Sequence, residues 1–251
     1  MYYYFHLISQ MSNVNLVFVH GIDGYAEQAA ATTKSMFGKR YKILTYDLIG
    51  RGEQLGTKLY RHDLKSYVSQ LQRVTKDLKD PFFLVGFSLG AAIATAFAIK
   101  YPARVKKIAV VCPVVENGIP WVATIASKVP YSIWKTIVPK IMLNRIESSF
   151  EGVSKYKDYV EKKRELYGDE RFIRVLFDTF QQFPFSNLPV KSLNRPILII
   201  AANSDKAISE IAVREFSNIV SGKLVFYEGD HSILTRKPAI VGSAIHKFFS
   251  E

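Results

Sequence analysis

Residues 82–94 read Phe82-Phe83-Leu84-Val85-Gly86-Phe87-Ser88-Leu89-Gly90-Ala91-Ala92-Ile93-Ala94. The first six are continuously apolar and β-prone, as in a strand buried on both faces. The small residues after Ser88 read as the start of a helix. A lone hydroxyl between two glycines, where a strand turns straight into a helix, has two readings. It is a turn serine capping the helix, or a nucleophile held out by a strained turn. The second needs glycine on both sides, because neighbouring backbones crowd such a turn. It also places Ser88 at a helix N-terminus, where unpaired amides and the helix dipole favour developing negative charge.

Outward from this stretch, strand and helix signals alternate. YYYFHLI (2–8) and NLVFVHG (15–21) read as strands, and YAEQAAATTKSMFG (25–38) as a helix with a glycine stop. The strand YKILTYDL (41–48) runs into the glycine-punctuated loop IGRGEQLG (49–56). Leu64, Val68, Leu71, Val74 and Leu78 recur at helical spacing. LGAAIATAFAIKY (89–101) is a helix stopped at Pro102, and VKKIAVVCP (105–113) is another strand. Continuously apolar strands alternating with helices predict an α/β fold, a mostly parallel sheet flanked by helices.

The rhythm breaks over residues 114–190. They hold the aromatic stretch IPWVATIASKVPYSIWKTIVPKIML (119–143), the charged run KYKDYVEKKRELYG (155–168) and RFIRVLFDTFQQF (171–183). Pro120, Pro130 and Pro139 are expected to cut the first of these into short helices. Strands return with RPILIIAANSD (195–205) and KLVFYEGDH (223–231), and KPAIVGSAIHKFF (237–249) closes as a helix. The parse is a core of residues 1–113 and 191–251 with a helical insertion at 114–190.

A serine hydroxyl is a poor nucleophile until a base takes its proton. Of the five histidines, His6 lies in a strand, His62 leads into a polar helix face, and His246 sits in the last helix as a surface or core residue. His20 suits a structural loop. His231 leaves the last strand on a loop, the place from which a base reaches a neighbouring strand end. That base needs a carboxylate to fix its tautomer. Asp205, just past its strand, is the candidate; a helix N-cap is its bland reading, and Glu116 is the alternative acid. Asp230 reads as a local loop residue.

Ser88, Asp205 and His231 stand in the chain order of the serine triad of the α/β-hydrolases. The chain resembles the single-domain members of that fold family with a helical cap, of monoacylglycerol-lipase or carboxylesterase type. VFVHGIDG resembles the His-Gly oxyanion segment, YDLIGRGEQ the Asp-x-x-Gly-x-Gly loop, GFSLGAA the nucleophile elbow, NSD the acid loop and GDHS the histidine loop. The resemblance implies an oxyanion hole from the Leu89 and Ile22 amides, and structural roles for His20, Asp47, Gly50 and Gly52. Arg51 and Gln54 depart from the family's usual His and Ser. Asp23 puts a carboxylate beside the expected oxyanion hole.

A serine at the elbow sets the chain apart from dehalogenases and epoxide hydrolases, which resemble it but carry aspartate there. The expected chemistry is hydrolysis of a small carboxylic ester of short-to-medium acyl length. Trp121, Trp134 and Ile125, with Ile119, Val122, Ile133, Ile137 and Ile141, either line an acyl pocket or pack the insertion. On the same frame a thioesterase, a carbon–carbon hydrolase, a prolyl aminopeptidase and a non-catalytic ligand-binding member remain alternatives.

The composition fits this. With 48% hydrophobic residues in 251, a substantial core is available. A single cysteine, Cys112, sits in an apolar run as a buried, inert thiol. No metal or cofactor is expected. The net charge of +12 is spread without a long run of one sign. A solvated basic surface is the simpler reading; peripheral contact with acidic lipid or an acyl-CoA is the functional one, and nothing matches a nucleic-acid motif. Without a signal-peptide pattern or an apolar stretch of membrane length, a soluble, cytoplasmic protein is the expectation.

Overall fold

The computed structural model describes residues 6–7, 15–56, 61–78, 81–118, 128–184 and 193–251. The strands are β1 (His6–Leu7), β2 (Leu16–Val19), β3 (Ile43–Thr45), β4 (Phe82–Phe87), β5 (Val105–Val111), β6 (Ile197–Ala202) and β7 (Lys223–Tyr227). They form one sheet in the order β1-β3-β2-β4-β5-β6-β7. Every neighbouring pair is parallel except β1 with β3. β2 and β6 are buried along their whole length, as strands covered on both faces must be, whereas the edge strand β7 is half-buried.

The helices flanking the sheet are α1 (Ala26–Phe37), α2 (Leu64–Thr75), α3 (Leu89–Lys100) and α7 (Glu210–Ile219) between strands, and the short α8 (Ile233–Arg236) and α9 (Pro238–Ser250) after β7. Residues of α2, α3 and α7 pack into one apolar layer; α1, α8 and α9 share the other. α3 is apolar all round because it is enclosed: Leu89 to Thr95, Phe97 and Ala98 are all buried. Its first turn meets the sheet through glycines. A Cβ on Gly90 would drive into the carbonyls of Val19 and His20, and one on Gly86 into the Gly90 carbonyl.

Between β5 and β6 the described residues form only helices: α4 (Tyr131–Phe150), α5 (Lys157–Gly168) and α6 (Glu170–Gln182), with a 3₁₀ turn at Ser154–Tyr156. Trp134, Tyr167, Phe172, Ile173 and Leu176 make their shared core, against which Ile22 and Leu55 of the sheet side pack. The proline expectation fails at one point. Pro130 does precede the helix, but α4 runs unbroken through Pro139 for 20 residues. Pro139 is buried, so tertiary packing outweighs its lost hydrogen bond. Pro120 lies outside the described residues.

Gly90→Ala should therefore lower stability by about 1–3 kcal/mol, the cost of overpacking a close backbone approach. Urea unfolding monitored by circular dichroism measures it; an unchanged midpoint would mean that α3 can retreat from β2.

Candidate active site

Ser88 links β4 to α3 with φ 52° and ψ −116°, a region costly for any residue with a side chain. The surroundings enforce it. Its N–H donates to the Val111 carbonyl at 3.0 Å, and its carbonyl accepts from Ala91 (3.0 Å) and Val114 (3.2 Å). β5 and α3 thus hold the residue from both sides. At the first position of α3 the Leu89 N–H has no acceptor within the helix.

The two loops that leave β6 and β7 converge on this turn. His231 Nε2 lies 3.0 Å from Ser88 Oγ, and its Nδ1 lies 2.7 Å from Asp205 Oδ2. The other carboxylate oxygen, Oδ1, accepts from the Ala207 and Ile208 amides at 2.7 and 3.1 Å. Capping and contact with His231 were alternative readings of Asp205; one carboxylate makes both contacts. With Nδ1–H donated to Asp205, Nε2 is left facing the serine hydroxyl. Phe87 packs against the imidazole, ring centroids 5.3 Å apart. Glu116 is solvent-exposed and has no part in this chain. Asp230 instead accepts from the Ser232 amide and pairs with Arg236.

Burial alone would lower the His231 pKa. The charge and hydrogen bond of Asp205, followed by the charges of Asp23 and Asp230, outweigh it and raise the pKa above 6.5. Burial would push the Asp205 carboxyl up, but the His231 charge and hydrogen bond and the two amides hold it below the usual range. Cys112 is buried, at φ 44°, with its thiol within 4.8 Å of the Asp205 and His231 ligand atoms. Burial, then the neighbouring Asp205 charge, raises that thiol's pKa, so it stays protonated and donates to the carboxylate.

The His-Gly segment lies over the serine. A turn closed by Gly24 N–H to Gly21 O (3.2 Å) carries Ile22 and Asp23 at its corner. A Cβ on Gly21 would sit 3.4 Å from the Ser88 Cβ. His20 supports this loop from below: Leu48 N–H donates to Nε2 at 3.1 Å, which leaves the proton on Nδ1, 2.8 Å from the Gly21 carbonyl. Burial, with lesser contributions from Arg51 and Lys163, lowers its pKa to about 4, so it stays neutral. Asp47 accepts from the Ala26 and Glu53 amides, and a side chain at Gly52 would collide with its carboxylate.

Two charged residues of this region have roles the sequence reading did not assign: Arg51, noted there only as a departure from the family's usual residue, and Lys163. Arg51 is 1% exposed. Its guanidinium donates to the Ile22 carbonyl (3.0 Å), the Ile49 carbonyl (2.8 Å), the Tyr67 hydroxyl (2.8 Å) and Thr179 Oγ1 of α6 (2.9 Å). It ties the corner loop to the insertion. His62 is buried in the same network, 3.0 Å from the Tyr67 hydroxyl, and not on a polar face as expected. Burial, then Arg51, lowers its pKa to about 4. Lys163 of α5 is 2% exposed and reaches the Asp23 carbonyl at 2.6 Å. The sequence did hold a signal for it: Tyr159, Lys163 and Tyr167 share one helix face at four-residue spacing.

Of the proposed pocket residues, Trp121 and Ile125 fall outside the described residues, as do Ile119 and Val122. Trp134 is fully buried, edge-on to Phe177 at 5.4 Å, the surroundings of a packing residue. Ile133, Ile137 and Ile141 are 50%, 51% and 40% exposed, turned away from it. A cavity of about 80 Å³ lies beside His231. Phe18, Phe87, Ile146 and Leu234 give it mainly apolar walls, with Asp23 and Tyr159 among its polar lining.

Because a general base must be neutral, the raised pKa places the acid limb of the pH–rate profile above about 6.5 for any reaction that uses His231. Asp205→Asn should lower that limb and cut turnover by about 10⁴-fold, while Glu116→Gln leaves both unchanged. A pH–kcat/KM series on the three proteins reads this; the reverse pattern would reassign the acid.

No helix among the described residues is long and apolar enough to cross a membrane. In sequence the chain is 24% identical to human monoglyceride lipase over 249 residues, 92% of this chain and 80% of the relative. In structure it is similar to MGS-M2, an α/β-hydrolase enzyme from a Medee basin deep-sea metagenome library (TM-score 0.79, 19% identity, 100% and 94% of the two chains). It is also similar to the meta-cleavage product hydrolase CumD of Pseudomonas fluorescens IP01 (TM-score 0.78, 15% identity, 98% and 93%). The profile of the family described as serine aminopeptidase, S33, matches residues 11–235. With that match spanning most of the sheet and its connections, the chain belongs to this family of α/β-hydrolases.

Proposed function

We propose that the chain is a serine hydrolase that cleaves a carboxylic ester of short-to-medium acyl length, monoacylglycerol-like in kind, through an acyl-enzyme. The observation that carries this reading is the continuous hydrogen-bonded row Ser88–His231–Asp205 on a strained strand-to-helix turn. Ser88 Oγ attacks the acyl carbon as His231 Nε2 takes its proton, and Asp205 steadies the imidazolium. The amides of Leu89 and Ile22 meet the charge on the carbonyl oxygen. His231 then returns the proton to the departing alcohol, and water repeats the sequence on the acyl-enzyme.

The helical insertion, residues 114–190, acts as the cap. Trp121 and Ile125, which lie outside the described residues, are assigned from the sequence to binding the acyl group, and Trp134 stiffens the cap from within. The reaction needs no cofactor and the protein is placed in the cytoplasm.

The exposed face of α4 adds a partner. Ile133, Ile137 and Ile141 follow at four-residue spacing with Lys140 and Arg145 beside them, an arrangement suited to peripheral contact with anionic lipid. The triple variant Ile133→Ser/Ile137→Ser/Ile141→Ser should lose flotation with phosphatidylserine vesicles; equal flotation would remove this partner.

p-Nitrophenyl esters of rising chain length test the main reading. Turnover should be greatest at short-to-medium length and fall by at least about 10³-fold in Ser88→Ala. A fluorophosphonate probe should label Ser88 covalently. An unlabelled Ser88, with no ester or thioester turned over, would leave the chain a ligand-binding member of its fold.

A further inference from the structure

Asp23 poses an electrostatic problem. It follows Ile22 on the turn closed by Gly24 N–H to Gly21 O, so its carboxylate stands beside the place where an oxyanion would form. A fixed negative charge there opposes the charge that an oxyanion hole exists to stabilise. The low local dielectric makes that opposition stronger than it would be in water.

The structure answers it from the insertion. Lys163 Nζ lies 3.3 Å from Asp23 Oδ2, 2.6 Å from the Asp23 carbonyl and 3.3 Å from Gln28 Oε1, so its three protons each have an acceptor. The Tyr167 hydroxyl, also from α5, donates to Asp23 Oδ2 at 3.4 Å. The Tyr159 ring lies under the ammonium, 5.4 Å from centroid to nitrogen. The Lys163 side chain is 3% exposed and the Asp23 side chain 20%. An ammonium this deep requires its counter-charge, and the partner that matches it is the carboxylate next to the oxyanion turn. Both Asp23 and His231 line the same cavity.

We propose that Lys163 is a positioning residue for catalysis: by docking on Asp23 it cancels the carboxylate carried by the oxyanion turn itself, so that the site is electrostatically competent only while α5 is seated. The inference rests on the serine-hydrolase reading. It goes beyond that reading by making an insertion side chain part of the oxyanion environment and not merely of substrate shape.

A charge-repair series tests it. kcat and KM for p-nitrophenyl butyrate, and the rate of fluorophosphonate labelling of Ser88, are measured for wild type, Lys163→Met, Lys163→Arg, Asp23→Asn and the double variant Asp23→Asn/Lys163→Met. Lys163→Met should slow both kcat and labelling by about tenfold or more, with KM within about twofold, because the loss falls on developing charge. Lys163→Arg, and the double variant, which carries no charge to cancel, should return to within about threefold of wild type. Asp23→Asn alone leaves the ammonium without its counter-charge and serves as the stability control for the pair; the double variant, with neither charge, decides the matter if Lys163→Met fails to fold. Equal loss in Lys163→Met and the double variant would overturn the proposal, since Lys163 would then only hold the insertion down. So would an unimpaired Lys163→Met or a tenfold slower double variant. Labelling needs no ester substrate, which separates this failure from a wrong choice of ester. A wild-type chain that takes neither label nor ester would overturn the serine-hydrolase reading and this inference with it.

Discussion

Backbone proximity at one place governs the molecule. The first turn of α3 presses against β2 and β4 so closely that neither Gly86 nor Gly90 has room for a side chain. That approach fixes the angle at which the strand becomes a helix, and so forces Ser88 into its left-handed conformation. Everything else at the site is arranged around a residue that cannot relax. The hydrogen bonds from Ser88 N–H to Val111 and from Val114 to the Ser88 carbonyl bind β5 to the same point. The strain is thus carried by three adjacent strands and one helix.

Around this rigid point the buried charges divide by kind. Arg51 and Lys163 both reach the turn at Ile22 and Asp23, from opposite sides of the boundary between sheet and insertion. Arg51 meets neutral carbonyls and hydroxyls and acts as a multi-pronged brace, which a guanidinium's planar fork permits. Lys163 meets a carboxylate. Burial, with the charge of Arg51 at both and of Lys163 at His20, keeps His20 and His62 neutral. His231, flanked by Asp205, Asp23 and Asp230, is pushed the opposite way. The imidazoles therefore shift in opposite directions: burial prevails at His20 and His62, and the carboxylates prevail at His231.

Much of this could be read from the chain. Continuous apolar runs announced buried parallel strands, and a serine between glycines announced the turn. Strand ends also told where Asp205 and His231 would emerge, because loops at one rim of a parallel sheet converge. Legibility failed where a residue's type and its surroundings disagree. Lys163 in a charged run looked solvated, yet the tyrosines four residues to either side put it on the inward face. His62 looked polar and is enclosed. Pro139 looked like a break and is absorbed, because it falls on the buried side of a largely exposed helix, where packing offsets one lost hydrogen bond. Arg51 had no local signal: its partners at Ile22, Tyr67 and Thr179 come from three separate parts of the chain.

The distances in sequence have a consequence for how the protein comes into being. Ser88 and His231 are 143 residues apart, and Asp205 and His231 are carried by the last two strand ends. A chain emerging in order completes the turn at Ser88 early, but places its partners only when β6 and β7 have added to the sheet edge. Contacts of such separation form late in folding. Maturation of the hydroxyl's environment is then inseparable from closure of the whole sheet. A half-made chain would hold the strained turn without His231 and Asp205 beside it, so the hydrogen-bonded row and completion of the fold arrive together.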